Sequence, residues 1–405
     1  MTAPSNGAMR MRDAGTQASF APALPFALVS DRETVVGRGC LGVVPAGERP
    51  LGERVGAWFA DHPGARLLVG ALPYDHRAPA HLFQPAEVSR SPGRDCFAAA
   101  FSPPALVPAA PVAAPRWAAQ PEPSLARYRA AVEEALAMMA RGEDGLRKIV
   151  LSRSLRLTSD RPVEASALLR RLAEDHHAVA FCVPLPGERP RALVGATPEL
   201  LIDKQGAAIF SHPLAGSARR SREKVADEAA ARALLASEKD NREHREVVSA
   251  ILDQLAPYCA ELGAPEGTQL TATNSMWHLG TRITGRLRDA AMPSVDIAAL
   301  LHPTPAVCGT PRAAADRAIT ALEGYDRGFY AGAVGWCDAS GDGTWHVAIR
   351  CAEIAGAEAR LYAGAGIVPG SDPQAEGDET SAKFAALLRA LGIDEDGHPL
   401  SEDAA

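Results

Sequence analysis

The chain has 405 residues, 47% apolar and 22% charged, a globular composition with apolar material for a large core. A formal charge of −7 and an isoelectric point near 5.9 exclude a nucleic-acid-coating surface, although an acidic protein can still hold a basic pocket. Seven cysteines without a CxxC pair argue against a disulfide framework or a structural zinc site, and fit free thiols in a reducing cytoplasm.

The opening "MTAPSNGAMRMRDAGTQASF" lacks the apolar run of a signal peptide, so residues 1–20 read as a flexible tail. No later run is long enough to span a membrane. A strand-rich half follows, with "FALVS" and "RLLVGALPYD" as strands. Seven prolines within residues 103–123 read as a flexible linker or as an extended segment laid along the surface. From Ser124, "SLARYRAAVEEALAMMARGE" has a capping serine and helical apolar spacing. "KIVLSRSLRL" alternates as a strand, "VEASALLRRLAEDH" is helical, and "AVAFCVPL", "RALVGATPELLID" and "AAIFSHPLAG" are successive strands and turns. A long helix over "REKVADEAAARALLASEKDNREHREVVSAILDQLAPYC" breaks once near Ser237. Strands "GTRITGRL", "FYAGAVGWCD", "WHVAIRCAEI" and "ARLYAGAGIV" come next, then the helix "DETSAKFAALLRALG" and a flexible acidic tail over 393–405. Strands in runs rather than strict alternation with helices predict an α+β fold.

Gly364 and Gly366 suggest a nucleotide loop, but a dinucleotide fingerprint needs a third glycine where Pro369 stands, and no GK[ST] follows. The glycines then serve a positive φ, a close approach of backbone N–H groups to an anion, or a tight strand exit. Glu376 and Glu379, like Asp240 and Glu243, are spaced to share a helix face, which on a lone helix is a solvated surface. Two such pairs brought together would suit a hard cation such as Mg2+. Lys148 opens a strand whose one face carries Val150, Ser152 and Ser154, with Arg153 on the other. An exposed lysine there is ordinary, whereas a buried one would suit a general base. Glu199 after Pro198 is either its acid partner or a residue in the first turn of a helix. Arg350 inside an apolar strand, with Lys383 as a second cation, would clamp a carboxylate. Together these describe a pocket for a small polyanion flanked by an acid and a base. No Ser-His-Asp pattern or nucleophile elbow competes with it.

Over residues 120–392 the ordered motifs "KIVLSRSL", "GATPELL", "HPLAGSARR", "SEKDNREHREVV", "WHLGTRITG", "LLHPTPAVCGTPR", "EGYDRGFYAGAVGWCD", "WHVAIRCAEI" and "YAGAGIVPGSDPQAEGDETSAKF" resemble the chorismate-utilising enzymes. That resemblance implies one chorismate-binding α+β domain over residues 21–392, like anthranilate synthase component I, with antiparallel sheets in a sandwich flanked by helices. Within the family the motifs are most similar to those of isochorismate synthases that feed catecholate siderophores. These enzymes carry out a Mg2+-dependent conversion of chorismate to isochorismate, in which water adds at C2 and the C4 hydroxyl leaves. By that likeness Lys148 matches the general base and Glu199 the general acid. Glu243 and Glu379 match the Mg2+ ligands, with Glu376 and Asp240 as direct or water-mediated partners. Arg350, Tyr330, Lys383 and the backbone of Gly364, Ala365 and Gly366 match the part that holds the enolpyruvyl carboxylate. His278 and the loop of Ala215, Gly216, Ser217 and Ala218 line the ring site.

Three positions choose among the members. Ala215 stands where aminodeoxychorismate synthases carry a nucleophilic lysine, and Lys148 stands where the aminating enzymes lack the base. Ala306 stands where salicylate synthases have threonine, which favours stopping at isochorismate. The alternatives are a salicylate synthase, a menaquinone-pathway isochorismate synthase, and a silent or amidotransferase-partnered homologue. The resemblance further implies a cytoplasmic monomer acting on a small molecule, with no amidotransferase subunit, nucleic acid or membrane.

Overall fold

The computed structural model describes residues 24–94, 97, 101 and 115–400. The tail over 1–20, residues 401–405 and residues 102–114 of the proline-rich stretch lie outside them. Among the described residues the strands form three sheets of ten, nine and three strands, with antiparallel pairing. The fold is therefore α+β, as the runs of strands predict.

Strict alternation makes the ten-stranded sheet two-faced. Leu28, Phe181, Val183 and Leu193 point to a core shared with the nine-stranded sheet, where they meet Leu68, Ile202 and Trp345. Their neighbours Ala27, Val29, Ala180, Cys182, Ala192 and Val194 face a second core, closed by helices Ala165–Leu172 and Pro373–Leu391 through Leu168, Leu169, Phe384 and Leu387. Phe384 and Leu387 are fully buried.

Several expectations change. Helix Leu51–Asp61 lies in the half expected to be strand-rich. The end of the proline-rich stretch is extended: Trp117–Glu122 pairs along Lys148–Ser159. Ser124 does cap its helix, accepting from Arg127 N. The long helix does break at Ser237, which ends Lys224–Ala236 and caps Glu238–Leu255 by accepting from Asp240 N. The last helix begins at Pro373 rather than Asp378, because Asp372 caps it by accepting from Ala375 N, and Glu376 thereby joins its first turn. Residues 393–400, expected to be flexible, form a turn bridged between Ile393 and Pro399. Ile393 is buried there, and the Asp394 carboxylate accepts from Asp396 N and His398 N.

Four of the places where the chain crosses between sheets bear on the site. Arg191–Thr197 of the ten-stranded sheet leads through Pro198 and Glu199 into Leu200–Gln205 of the nine-stranded one. Gly343–Val347 returns through Ala348, Ile349 and Arg350 to Cys351–Ala355. Pro213 and Arg282 connect the nine- and three-stranded sheets. Glu199 is thus not in a helical first turn, and Arg350 is not inside a strand. Both sit at corners, where side chains leave the ladder alternation and turn inward.

Candidate active site

Lys148 begins the long strand Lys148–Ser159 and is completely buried. Its Nζ lies 3.1 Å from Glu243 Oε1, an ion pair whose angle does not make a hydrogen bond. Glu243 comes from helix Glu238–Leu255, on the face shared with buried His244 and Val247. His244 turns to Thr281 Oγ1 at 2.7 Å. Gly366 lies opposite Val150 in the ladder, and a Cβ there would overlap the Glu243 carboxylate. Neither Gly364 nor Gly366 has a positive φ. Gly366 is a glycine because a carboxylate needs the room. Strand Cys351–Ala355 pairs with Glu358–Ile367 only as far as Leu361, so beyond it that edge of the backbone turns to the pocket.

Glu199 is buried at its corner, and burial pushes its carboxyl up to about 8 against the opposing influence of Lys148, the Leu214 N–H, Lys383 and Arg350. Arg350 is buried with φ 51°, a left-handed backbone costing a non-glycine residue roughly 1–2 kcal/mol. Its carbonyl accepts from Ala196 N, and its guanidinium donates to His278 Nε2 at 3.2 Å. Burial, then Arg350 and Lys383, hold the His278 imidazole far below its ordinary value, and its ring also bonds the Gly216 carbonyl. The neutral tautomer with a proton on Nδ1 satisfies both contacts. Gly216 has φ 76° and would press a Cβ onto Asp240. The "AGSA" loop thus needs glycine for conformation and for space.

The remaining acidic groups meet lysines. Lys383 Nζ lies 2.6 Å from Glu379 Oε1 and donates to the Gly364 carbonyl at 2.7 Å. Ser217 Oγ also donates to Glu379 at 2.7 Å. Burial opposes ionisation of Glu379, but Lys383 and Ser217 hold its carboxyl below the ordinary range. Glu376 is 1% exposed; burial and Glu379 push its carboxyl up, opposed by Lys239, which donates to Oε1 at 2.7 Å. Its Oε2 is buried without a well-formed hydrogen bond.

One pocket is lined by Glu199, Ala215, Gly216, Ser217, Glu243, His278, Ala306, Tyr330, Arg350, Gly364, Gly366, Glu379 and Lys383. Lys148 lies beneath it through Glu243, while Asp240 and Glu376 stand behind it. Ala218 and Ala365 are not on its wall. The sequence reading missed Tyr362, whose ring stacks on Tyr330 at 4.7 Å. It also missed Lys239, although that lysine stands beside Asp240 in "SEKDNREH". A support behind the pocket was missed too: Arg327 and Glu323, four apart on a sharp helix exit, form a buried ion pair. Arg327 donates to Val307 and Val150 carbonyls and lies over the Tyr74 ring, while Glu323 accepts from Ser152.

Whether this site suits a hard cation is decided by its donors. Four carboxylates, one with a buried oxygen that lacks a well-formed hydrogen bond and one seated in a glycine gap, are the right chemistry. No three of them converge, however. Among the described residues only Asp394, Asp396 and His398, at the surface near the chain end, bring ligand atoms within 4.8 Å of one another. In donor chemistry, though not in their spacing, the four carboxylates fit a divalent cation.

Residues 105–392 match the family model described as "Chorismate binding enzyme". Isochorismate synthase DhbC of Bacillus subtilis (strain 168) is 45% identical over 333 residues, 81% of this chain and 81% of that protein. The crystal structure of the putative 2,3-dihydroxybenzoate-specific isochorismate synthase DhbC from Bacillus anthracis superposes with a TM-score of 0.84 at 38% identity, over 91% of this chain and 96% of that one. Anthranilate synthase component I from Streptococcus pneumoniae TIGR4 gives a TM-score of 0.69 at 20% identity, over 93% and 96%, a likeness of fold alone.

Proposed function

This chain belongs to the chorismate-binding enzyme family, and we propose that its reaction is the conversion of chorismate to isochorismate. One observation carries the assignment of roles: a buried lysine and a buried carboxyl that keeps its proton to about pH 8 serve one pocket. Lys148 Nζ accepts a proton from water as the water oxygen bonds C2. The ring double bonds shift, the C4–O bond breaks, and Glu199 gives its proton to the departing hydroxyl. A carboxyl near its working pH is matched to donation. Buried Tyr330 and Val307 and half-buried Ile349 give the pocket an apolar wall beside these groups.

Chorismate carries two carboxylates. Arg350 and Lys383, with the open edge of the backbone at Gly364, Ala365 and Gly366, hold the enolpyruvyl one; Arg offers a planar fork and Lys a point charge. Glu243 and Glu379, with Glu376 and Asp240 directly or through water, would hold Mg2+. Bound there, Mg2+ supplies the positive charge that lets an acidic wall accept the ring carboxylate. His278 and the loop from Ala215 to Ala218 shape the ring site.

Two features support stopping at isochorismate with water as nucleophile. Ala306 on the pocket wall offers no hydroxyl, and Ala215 offers no amine. The likeness to the putative 2,3-dihydroxybenzoate-specific isochorismate synthase supports supply of a catecholate siderophore. The enzyme acts as a cytoplasmic monomer without an amidotransferase. Purified protein incubated with chorismate and Mg2+ should yield isochorismate. Pyruvate and fluorescent salicylate formed without a second enzyme would instead identify a salicylate synthase.

A further inference from the structure

Three carboxylates in or behind the pocket each meet their own lysine: Glu243 meets Lys148, Glu379 meets Lys383 and Glu376 meets Lys239. The three lysines are not equivalent. Lys148 is sealed in, and Lys383 is 15% exposed and tied to the Gly364 carbonyl as well. The Lys239 side chain is 33% exposed, opens the helix after the Ser237 cap, and does not line the pocket. It alone of the three has a path to solvent while its carboxylate stays buried.

We infer that Lys239 is a placeholder counter-ion that neutralises Glu376 in the metal-free enzyme and is displaced when a divalent cation binds, so that it sets the site's cation affinity without touching substrate. The inference rests on the metal site proposed above. An ionised carboxylate this deeply buried needs a positive partner. Glu376 has Lys239 on Oε1, while Oε2 makes no well-formed hydrogen bond and the carboxylate has the Ser371 hydroxyl as its other polar neighbour. A divalent ion on Oε2 replaces the ammonium as partner and repels it as a like charge. The Lys239 ammonium lies 2.7 Å from Glu376 Oε1, on the side of the carboxylate opposite Oε2. The lysine is thus a charged competitor for the cation's place. It also accounts for carboxylates of the right chemistry that do not converge in the metal-free protein.

The test is titration calorimetry with Mg2+ and no chorismate, on the full chain. Lys239→Met keeps the apolar stem and loses the charge; it should bind Mg2+ at least about tenfold more tightly than wild type. Lys239→Arg keeps the pair and should stay within about threefold of wild type. Metal-free K239M should also melt lower than wild type, and saturating Mg2+ should close that gap. Lys239→Gln is the second neutral variant should K239M fold poorly. Mg2+ binding in wild type with unchanged or weaker affinity in the neutral variants overturns the inference alone. No Mg2+ binding in wild type or in the neutral variants overturns the metal site, and the inference with it.

Discussion

A methyl group on Gly366 would overlap Glu243 Oε1. Strand Glu358–Ile367 and helix Glu238–Leu255 meet there with no space between backbone and carboxylate. Gly366→Ala should therefore displace Glu243, weakening Mg2+ binding by about tenfold or more, roughly 1.4 kcal/mol. Calorimetry on a variant with an unchanged far-ultraviolet dichroism spectrum checks this. Full Mg2+ affinity would show that Glu243 is not a ligand.

Glu199 sets a pH limit. The fold raises its carboxyl from 4.5 to about 8, so the protonated donor is present below that value and is lost above it. Turnover should fall as pH rises through about 8. Glu199→Gln should lower kcat by about 10²–10⁴. Linkage gives stability the same sign: the folded chain binds this proton more tightly than the unfolded one. That contribution is full below 4.5 and is lost as pH rises to about 8. Urea unfolding of wild type between these values should show a slope that E199Q reduces.

Lys148→Ala should lower kcat by about 10²–10⁴ without abolishing substrate binding. Lys148→Arg should not restore the rate, since a guanidinium does not give up its proton to become a base. Full turnover by K148A removes the base assignment.

Metal and substrate should bind cooperatively. With Lys148 counted as the base, Lys239, Lys383 and Arg350 leave Asp240, Glu243, Glu376 and Glu379 with one negative charge in excess, while Glu199 is held neutral below about pH 8. A dication or a dianion alone changes that charge by two, and the two together leave it unchanged. Calorimetry should find chorismate binding at least about tenfold tighter with Mg2+ present, with the same factor in reverse. Tight metal-free binding of chorismate contradicts this.

Glu323 and Arg327 are each 2% exposed in their side chains. Glu323→Gln leaves Arg327 charged and unmatched beneath Val150 and Val307, and should cost about 3–5 kcal/mol in urea unfolding. A loss under about 1 kcal/mol would show that the carbonyl bonds alone hold Arg327.

Local chemistry determined much of this protein by itself. Strand alternation and apolar helix spacing mark most elements from Ser124 on, because residues a few positions apart decide them. The Ser237 break was legible for the same reason: a serine there can cap a new helix. The ordered motifs carried the family and, residue by residue, most of the pocket wall. Other features depend on groups distant in the chain. Arg350 read as a strand residue because its apolar neighbours alternate; only the crossing between two sheets turns it inward. Gly366 read as a loop glycine, and only a helix packed across the strand makes it a gap for a carboxylate. Lys239 and Glu376, 137 residues apart, each look like ordinary surface charge. Burial of one beside the other, which no local pattern encodes, makes them a pair whose separation a bound cation would drive.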